Sequence, residues 1–536
     1  MGSPASRIGT AVTVTVALAA GLLTTGATPG HAQSPTGPLV WRSCPADVSD
    51  HPALRCAVLS VPLDHRDPQS RHITVTVSRI PATDPARRLG TLVLSPGGPG
   101  IGGLAMPAQL HGPGQPPQLG QRYDLVGFDA RGVRHSSPVS CGLPVADRAV
   151  RYPAPDGSIA HSVAHARATA QACRREAADV LPHITTANTA RDLDRIRAAL
   201  GEERISFFGL SYGTYLGAVY ATRHPHRTDR VVLDSALDPN RIWYDLVRLG
   251  GLGLTQRLPD LTGWVADRHH TYRLGRTAAA VEHRYRTLLR DLDHHPITYP
   301  GLVVDGNWLR DYTRDNLEQP DASQFPHIAA VWQELAAASR APATGTPAVV
   351  ADAIPATSVP AGAAVPADNR QTVGYAVQCG DAAWPRRPER YAAAVRRDRT
   401  LFPEDAGRSA TITPCAFWPA PVEAAPMVGA AGPRNILILH NRRDPATPWV
   451  SGHGMHQALR HRSTLVTADT GGHGVIGAND CATALALRYL TDDRPHLPAS
   501  RICPGDGQIL RRDAGVGQTY AVPGRGSAPA LAPLGR

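Results

Sequence analysis

The chain has 536 residues, 42% of them hydrophobic, with 50 Gly and 49 Pro, which excludes one minimal domain and predicts a large globular core with an inserted or second domain. Its formal charge of +10 is carried by arginine alone, because the sequence contains no lysine. The cations are scattered and no stacking-aromatic motif accompanies them, so the charge argues against a nucleic-acid partner.

In chain order, residues 1–32 read first as a secretory signal peptide. Arg7 supplies the charged start, 11–23 the apolar core, and Gly30, His31 and Ala32 a small-x-small cleavage site. The first six residues also fit the myristoylation pattern M-G-x-x-x-S, but the apolar segment behind them makes that a chance match. The expected mature chain is secreted. No later segment reaches about 18 uninterrupted apolar residues, so no membrane association is expected after cleavage. Eight cysteines in an exported chain suggest disulfides. Nearest-neighbour pairing gives Cys44 with Cys56, Cys141 with Cys173, Cys379 with Cys415 and Cys481 with Cys503, one of many possible connectivities. No C-x-x-C or H-E-x-x-H occurs, and no metal site is expected.

Short aliphatic or β-branched runs at 73–77, 91–94, 123–129, 205–208, 231–234, 436–440 and 464–467 predict strands. Several are almost wholly apolar, as strands buried on both faces of a parallel sheet must be. A helix is predicted over 189–200, with Leu193, Ile196 and Leu200 on one face, a Thr-x-x-Asp start at Thr189 and a stop at Gly201. Strand and helix in alternation imply an α/β fold with a mostly parallel sheet. The pattern divides the mature chain into a first core part at 33–239, a mainly helical cap insertion at 240–374 containing an Ala/Pro-rich segment, a second core part at 375–507, and a disordered tail at 508–536.

Two stretches carry chemistry ahead of the cap. "LSPGGPGIGG" follows an apolar run and places Gly98, Gly100 and Gly103 in the G-x-G-x-x-G pattern of a dinucleotide loop, with Asp129 closing the next strand. A dinucleotide loop must open a helix, yet the residues behind these glycines are broken by Pro and Gly, and Pro99 removes one N–H from the supposed cradle. An oxyanion-binding turn needs only one or two aimed N–H groups, and no cofactor is expected. In "ISFFGLSYGTYLGAVYA" an apolar strand enters Gly209-Leu210-Ser211-Tyr212-Gly213 and continues into a helix rich in small residues. A serine on so sharp a strand-to-helix turn needs small neighbours two positions either side, which makes Ser211 the candidate nucleophile.

Beyond the cap, the apolar run ending at His440 leads into Asn441-Arg442-Arg443-Asp444, and the run at 464–467 leads into Gly471-Gly472-His473-Gly474. Asp444 and His473 thus stand in loops after strands and in the chain order Ser, Asp, His. Among 23 histidines, His440 and His453 are the nearest rivals to His473; Asp234 and Asp238 are the rival acids.

These motifs, together with "CAVLSVPLDHRDP", "YDLVGFDARGVRHSSPVSC", "VVLDSALDP", "AVQCGD" and "RRDPATP", give a chain that from about Trp41 to Cys503 resembles the secreted α/β-hydrolase peptidases of the tripeptidyl aminopeptidase type, relatives of the proline iminopeptidases. The usual "NPGGPGGSG" of that family stands here as "SPGGPGIGG", with Ser95 for Asn, Ile101 for Gly and Gly102 for Ser. The resemblance places Ser211, Asp444 and His473 at the family's triad positions. It implies two-step acyl transfer, the oxyanion being met by the backbone N–H groups of Tyr212 and of Gly98, with Gly97 as the alternative donor. An aminopeptidase also needs a carboxylate for the substrate's ammonium. Asp381 in "AVQCGD" is the candidate, with Asp311 and Asp315 of the cap as alternatives. The expected protein is a monomeric, exported serine exopeptidase acting on peptides with a free N-terminus. A carboxylesterase on the same fold is the alternative, and a non-catalytic binding protein a third reading.

Overall fold

The computed structural model describes residues 39–112, 116–144, 150–299, 302–320, 322–339, 365–494 and 496–505. The signal peptide, most of the Ala/Pro-rich segment and the tail expected from sequence lie outside the described residues.

The centre of the molecule is a ten-stranded sheet ordered β1-β2-β3-β5-β4-β6-β7-β10-β11-β12. Its strands are β1 (Arg42–Ser43), β2 (Arg55–Pro62), β3 (His72–Ile80), β4 (Gly90–Ser95), β5 (Tyr123–Phe128), β6 (Ile205–Leu210), β7 (Thr228–Asp234), β10 (Ile436–Arg443), β11 (Ser463–Gly471) and β12 (Arg501–Cys503), while β8 (Ile297–Tyr299) and β9 (Leu302–Val304) form a separate hairpin. From β5 to β12 the neighbours pair in parallel. Parallel neighbours need long crossovers, and the helices that supply them cover both faces. On one face Val93, Phe207, Val231 and Ile438 pack against the helices Thr186–Ala199 and Tyr212–Arg223. On the other, Leu92, Leu94, Val232, Leu437 and Leu439 pack against the helix Asp480–Thr491. This two-sided burial is why the central strands read as continuous apolar runs.

The edge beyond β5 is different. β1, β2 and β3 run antiparallel, and β3 pairs antiparallel with β5. Of these only β3 is among the strands expected from sequence. β2 exposes Arg55, Val58 and Ser60, and β1 and β12 are two and three residues long, so none of them presents an uninterrupted apolar run. The helix expected at 189–200 starts at Thr186 instead. Thr185 is its cap, its hydroxyl accepting from Asn188 N at 3.2 Å. Asp192 is not a capping partner: it is buried, and both its oxygens accept from the Arg131 guanidinium at 2.7 Å, with His65 Nε2 donating to one of them at 2.7 Å.

Between β7 and β10 the chain builds helices Gly250–Asp267, Ala278–His294, Gly306–Leu317 and Phe325–Ala338 around an apolar cluster of their own, in which Tyr285 stacks on Trp332 at 4.1 Å. The next helix, Asn369–Asp381, packs back into the main core through Val373, Ala376 and Val377. Disulfides join Cys44 to Cys56, Cys141 to Cys173, Cys379 to Cys415 and Cys481 to Cys503. No helix among the described residues is long and apolar enough to cross a membrane.

Candidate catalytic site

Ser211 sits between the end of β6 and the first residue of the helix Tyr212–Arg223, with φ 56° and ψ −121°. A non-glycine residue at positive φ is strained, and the surrounding structure must hold it there. The small neighbours are required by contact: a Cβ on Gly209 would lie 2.4 Å from Gly213 O, and one on Gly213 2.6 Å from Ser95 O. Ser211 N donates to Asp234 O at 3.0 Å, tying the turn to the end of β7.

The glycine loop after β4 lies directly over this serine. A Cβ on Gly97 would approach Ser211 Cβ to 2.8 Å and its Oγ to 3.2 Å. Gly98 has φ +112°, a conformation that suits only glycine. Asp129 is no ribose ligand: it is 1% exposed and accepts from Gly103 N at 2.8 Å and His135 N at 3.1 Å, so it closes the glycine loop from within.

His473 and Asp444 meet from the loops after β11 and β10. His473 Nδ1 donates to Asp444, 2.9 Å from Oδ2 and 3.1 Å from Oδ1. Asp444 is fully buried and also accepts from Ala446 N, Thr447 N and Thr447 Oγ1 at 2.8–2.9 Å. Burial opposes its charge, yet the facing imidazole and these donors hold its pKa below the usual carboxylate value. Burial likewise works against charge on His473, but Asp444, followed by the carboxylates of Glu318 and Asp234, pushes that imidazole up to about 9.

Among the described residues no hydrogen bond joins Ser211 Oγ to His473, and such bonds commonly tighten only when substrate binds. Asp234 sets the two loops relative to each other. Its carbonyl takes Ser211 N, and its carboxylate accepts from Val475 N and Ile476 N at 2.9 Å, while Ser235 Oγ takes Gly474 N at 2.8 Å. Burial raises the Asp234 carboxyl to about 6. This rival acid therefore braces the histidine loop from below.

The remaining rivals are occupied elsewhere. His440 is buried, its Nδ1 accepting from Ala236 N at 3.1 Å and its Nε2 donating to Thr447 O at 2.6 Å. His453 stacks on Trp449, and Asp238 holds Asn240 N and Arg241.

Asp381 does not reach this cluster, which corrects the expectation that it meets a substrate's ammonium. It ends the core-packed helix Asn369–Asp381, is 2% exposed, and its oxygens accept from Thr186 N, Thr186 Oγ1 and Trp243 Nε1 beneath the Tyr212 ring. Asp311 is also engaged, by Tyr152 Oη and Arg408 Nε. The acid that faces the Asp444–His473 pair is Glu318, at the C-terminal end of the helix Gly306–Leu317. Its carbonyl accepts from His473 N at 2.7 Å, and its half-buried carboxylate has no hydrogen-bond or ion-pair partner among the described residues. Burial raises its pKa, and His473 is the charge that opposes that rise most, ahead of Arg314. Sequence reasoning passed over Glu318. The available signal was the spacing of Asp311, Asp315 and Glu318, which puts three acids on one helical face.

A family model described as alpha/beta hydrolase fold matches residues 90–479. A tripeptidyl aminopeptidase of Streptomyces lividans is 35% identical over 484 residues, covering 88% of this chain and 87% of that protein. Carboxylesterase B of Mycobacterium tuberculosis is 32% identical, covering 87% and 91%. Serine protease Hip1 of Mycobacterium bovis is 28% identical, covering 84% and 88%.

Proposed function

Because the chain belongs to the α/β-hydrolase family, among its tripeptidyl aminopeptidase-like members, we propose that it is an exported serine aminopeptidase releasing short N-terminal peptides or single residues. The observation that carries this reading is the buried Asp444–His473 pair framed, through Asp234, onto a serine held at positive φ.

In the proposed reaction His473 Nε2 takes the Ser211 proton as Oγ attacks the scissile carbonyl, then returns it to the leaving amine. Water activated by the same imidazole hydrolyses the acyl-enzyme. Asp444 fixes the tautomer by accepting from Nδ1 and balances the imidazolium. The N–H groups of Tyr212 and Gly98 receive the developing oxyanion. Tyr212 N is one of the unpaired donors of a helix start, and the Gly97–Gly98 turn lies against Ser211. No cofactor enters this chemistry.

Exopeptidase selectivity is assigned to Glu318. A partly desolvated carboxylate without a partner is costly, and an α-ammonium arriving beside the triad would pair with it. Export is supported by the leader-like residues 1–32 and by four disulfides.

The test compares mono-, di- and tripeptidyl anilides, their N-acetylated forms and short aryl esters, with Ser211→Ala as control. Free-amine peptides are expected to be cleaved and acetylated ones spared. Equal cleavage of both would refute the exopeptidase reading. Turnover of esters alone would favour the esterase reading, which the 32% identity to a carboxylesterase keeps in view.

A further inference from the structure

We propose that Asp381 is a positioning residue for the oxyanion hole: through the Thr186 hydroxyl it anchors the Tyr212 side chain, and thereby the orientation of the peptide N–H that follows Ser211. This inference rests on the serine-hydrolase reading of Ser211.

The directions of the hydrogen bonds carry it. An ionised carboxylate only accepts, and Thr186 Oγ1 lies 2.6 Å from Asp381 Oδ2, so the threonine's single proton is given there. The threonine oxygen, 2.9 Å from Tyr212 Oη, is then left to accept, and the tyrosine must donate. One chain results: Tyr212 Oη–H to Thr186 Oγ1–H to Asp381 Oδ2. Two further donors fix its acidic end, Thr186 N on Oδ1 at 2.7 Å and Trp243 Nε1 on Oδ2 at 3.2 Å. Thr186, Asp381 and Tyr212 are 0%, 2% and 5% exposed, so water does not compete for these bonds. The Trp243 ring packs on Tyr212 with centroids 5.9 Å apart and closes the side of the chamber.

The anchor matters because of what Tyr212 carries. It is the first residue of its helix, its N–H has no acceptor within that helix, and the preceding residue is held at φ 56°. A peptide at such a strained corner keeps its plane only if both flanks are held. Ser211 N on Asp234 O holds one flank, and the Tyr212 ring, pinned at its far end by its hydroxyl, holds the other. The anchoring groups come from three distant segments: the start of the helix Thr186–Ala199, Trp243 in the passage from β7 to the cap, and the end of the helix Asn369–Asp381, which the Cys379–Cys415 disulfide fixes two residues earlier. Burial works against ionisation of Asp381 and raises its pKa to about 6, while the Thr186 and Trp243 donors favour the anion that directs the chain. An apolar side chain here would avoid that cost but could not orient the threonine proton.

The experiment uses Tyr212→Phe, Thr186→Val and Asp381→Asn in the full secreted chain, measured with whichever anilide or ester the wild type turns over best. Each variant is assayed for kcat, KM and the inhibition constant of a peptide aldehyde, whose hemiacetal oxygen occupies the oxyanion hole. A loss in kcat of about tenfold is expected, with KM within about twofold and the aldehyde weakened by the same factor as kcat, because indirect loosening should cost less than deleting a donor outright. Tyr212→Phe combined with Asp381→Asn should be no worse than the poorer single variant, since both cut one chain. Folded Tyr212→Phe and Thr186→Val proteins with wild-type kcat and aldehyde affinity would overturn the proposal, whatever Asp381→Asn does to folding. So would parallel losses in kcat and thermal stability with unchanged aldehyde affinity. Labelling of wild-type Ser211 by a fluorophosphonate is scored separately, so failure of the hydrolase reading is not mistaken for failure of this one.

Discussion

At His473 the proposed catalysis and the stability of the fold make opposite demands. In the proposed reaction the imidazole must be neutral to accept the Ser211 proton, yet the surrounding carboxylates hold its proton up to about pH 9. On an uncharged aryl ester, kcat/KM is therefore expected to rise with pH and reach half its plateau near pH 9. The folded protein binds this proton more tightly than the unfolded chain, where histidine titrates near ~6.5. The stabilisation from this group is thus complete below that value and is lost as pH rises through about 9. Glu318→Gln removes one of the negative charges, so the imidazolium is less favoured and the activity limb should move to lower pH. The same substitution should raise KM for free-amine peptides by about tenfold while leaving KM for the ester unchanged. An unmoved ester profile would show that the Glu318 carboxylate does not act on His473.

At the scale of elements, two glycines only a few residues apart in function should respond differently to one methyl group. Gly97 has no positive φ, so its constraint is contact alone, and the atoms contacted are Ser211 Cβ and Oγ. Gly97→Ala is expected to leave the protein folded, by circular dichroism, and to lower kcat at least about tenfold, because about 1 Å of displacement at a reacting atom is already costly. Gly217 lies one helical turn and more from Ser211, where a Cβ would stand 2.4 Å from the Phe207 ring. Gly217→Ala should instead lower stability by about 1–3 kcal/mol in a denaturant titration, overpacking outweighing the gain in helix propensity, with kinetics unchanged. The same elements show what was legible in the sequence. The central strands and the loops bearing Ser211, Asp444 and His473 were readable, because a sheet buried on both faces writes itself as apolar runs and a sharp turn demands glycine. β2 was not, since its exposed Arg55, Val58 and Ser60 interrupt the run. Nor was the true start of the helix at Thr186, because the cap depends on whether Asp192 is free, and burial against Arg131 takes it. In the sequence Asp381 is a lone carboxylate beside a cysteine, and only the fold shows that its partners are Thr186 and Trp243.

Across the whole molecule, the helices inserted between β7 and β10 are fastened to both loops that carry Asp444 and His473. A Cβ on Gly253 would meet Pro445 O at 2.4 Å, beside Asp444, and one on Gly472 would meet Pro320 Cα at 2.2 Å, beside His473. Asp260, on the helix Gly250–Asp267, takes Arg257 Nη1 at 2.6 Å and Arg443 Nε at 2.9 Å, while Arg443 Nη1 reaches Asp469 at 2.9 Å. Arg443 directly precedes Asp444, so this network runs from the inserted helices to the loop that carries Asp444. Asp260 is 9% exposed and the Arg257 side chain is fully buried. Removing the carboxylate takes an ion-pair partner from both the buried Arg257 and Arg443, which destabilises the fold. Asp260→Ala should therefore lower the melting temperature sharply. If the cap also sets the Asp444 loop, kcat of the folded fraction, counted by fluorophosphonate titration, should fall as well. A melting loss with kcat per labelled site unchanged would mean that the inserted helices add stability but do not set the geometry of the Asp444 loop.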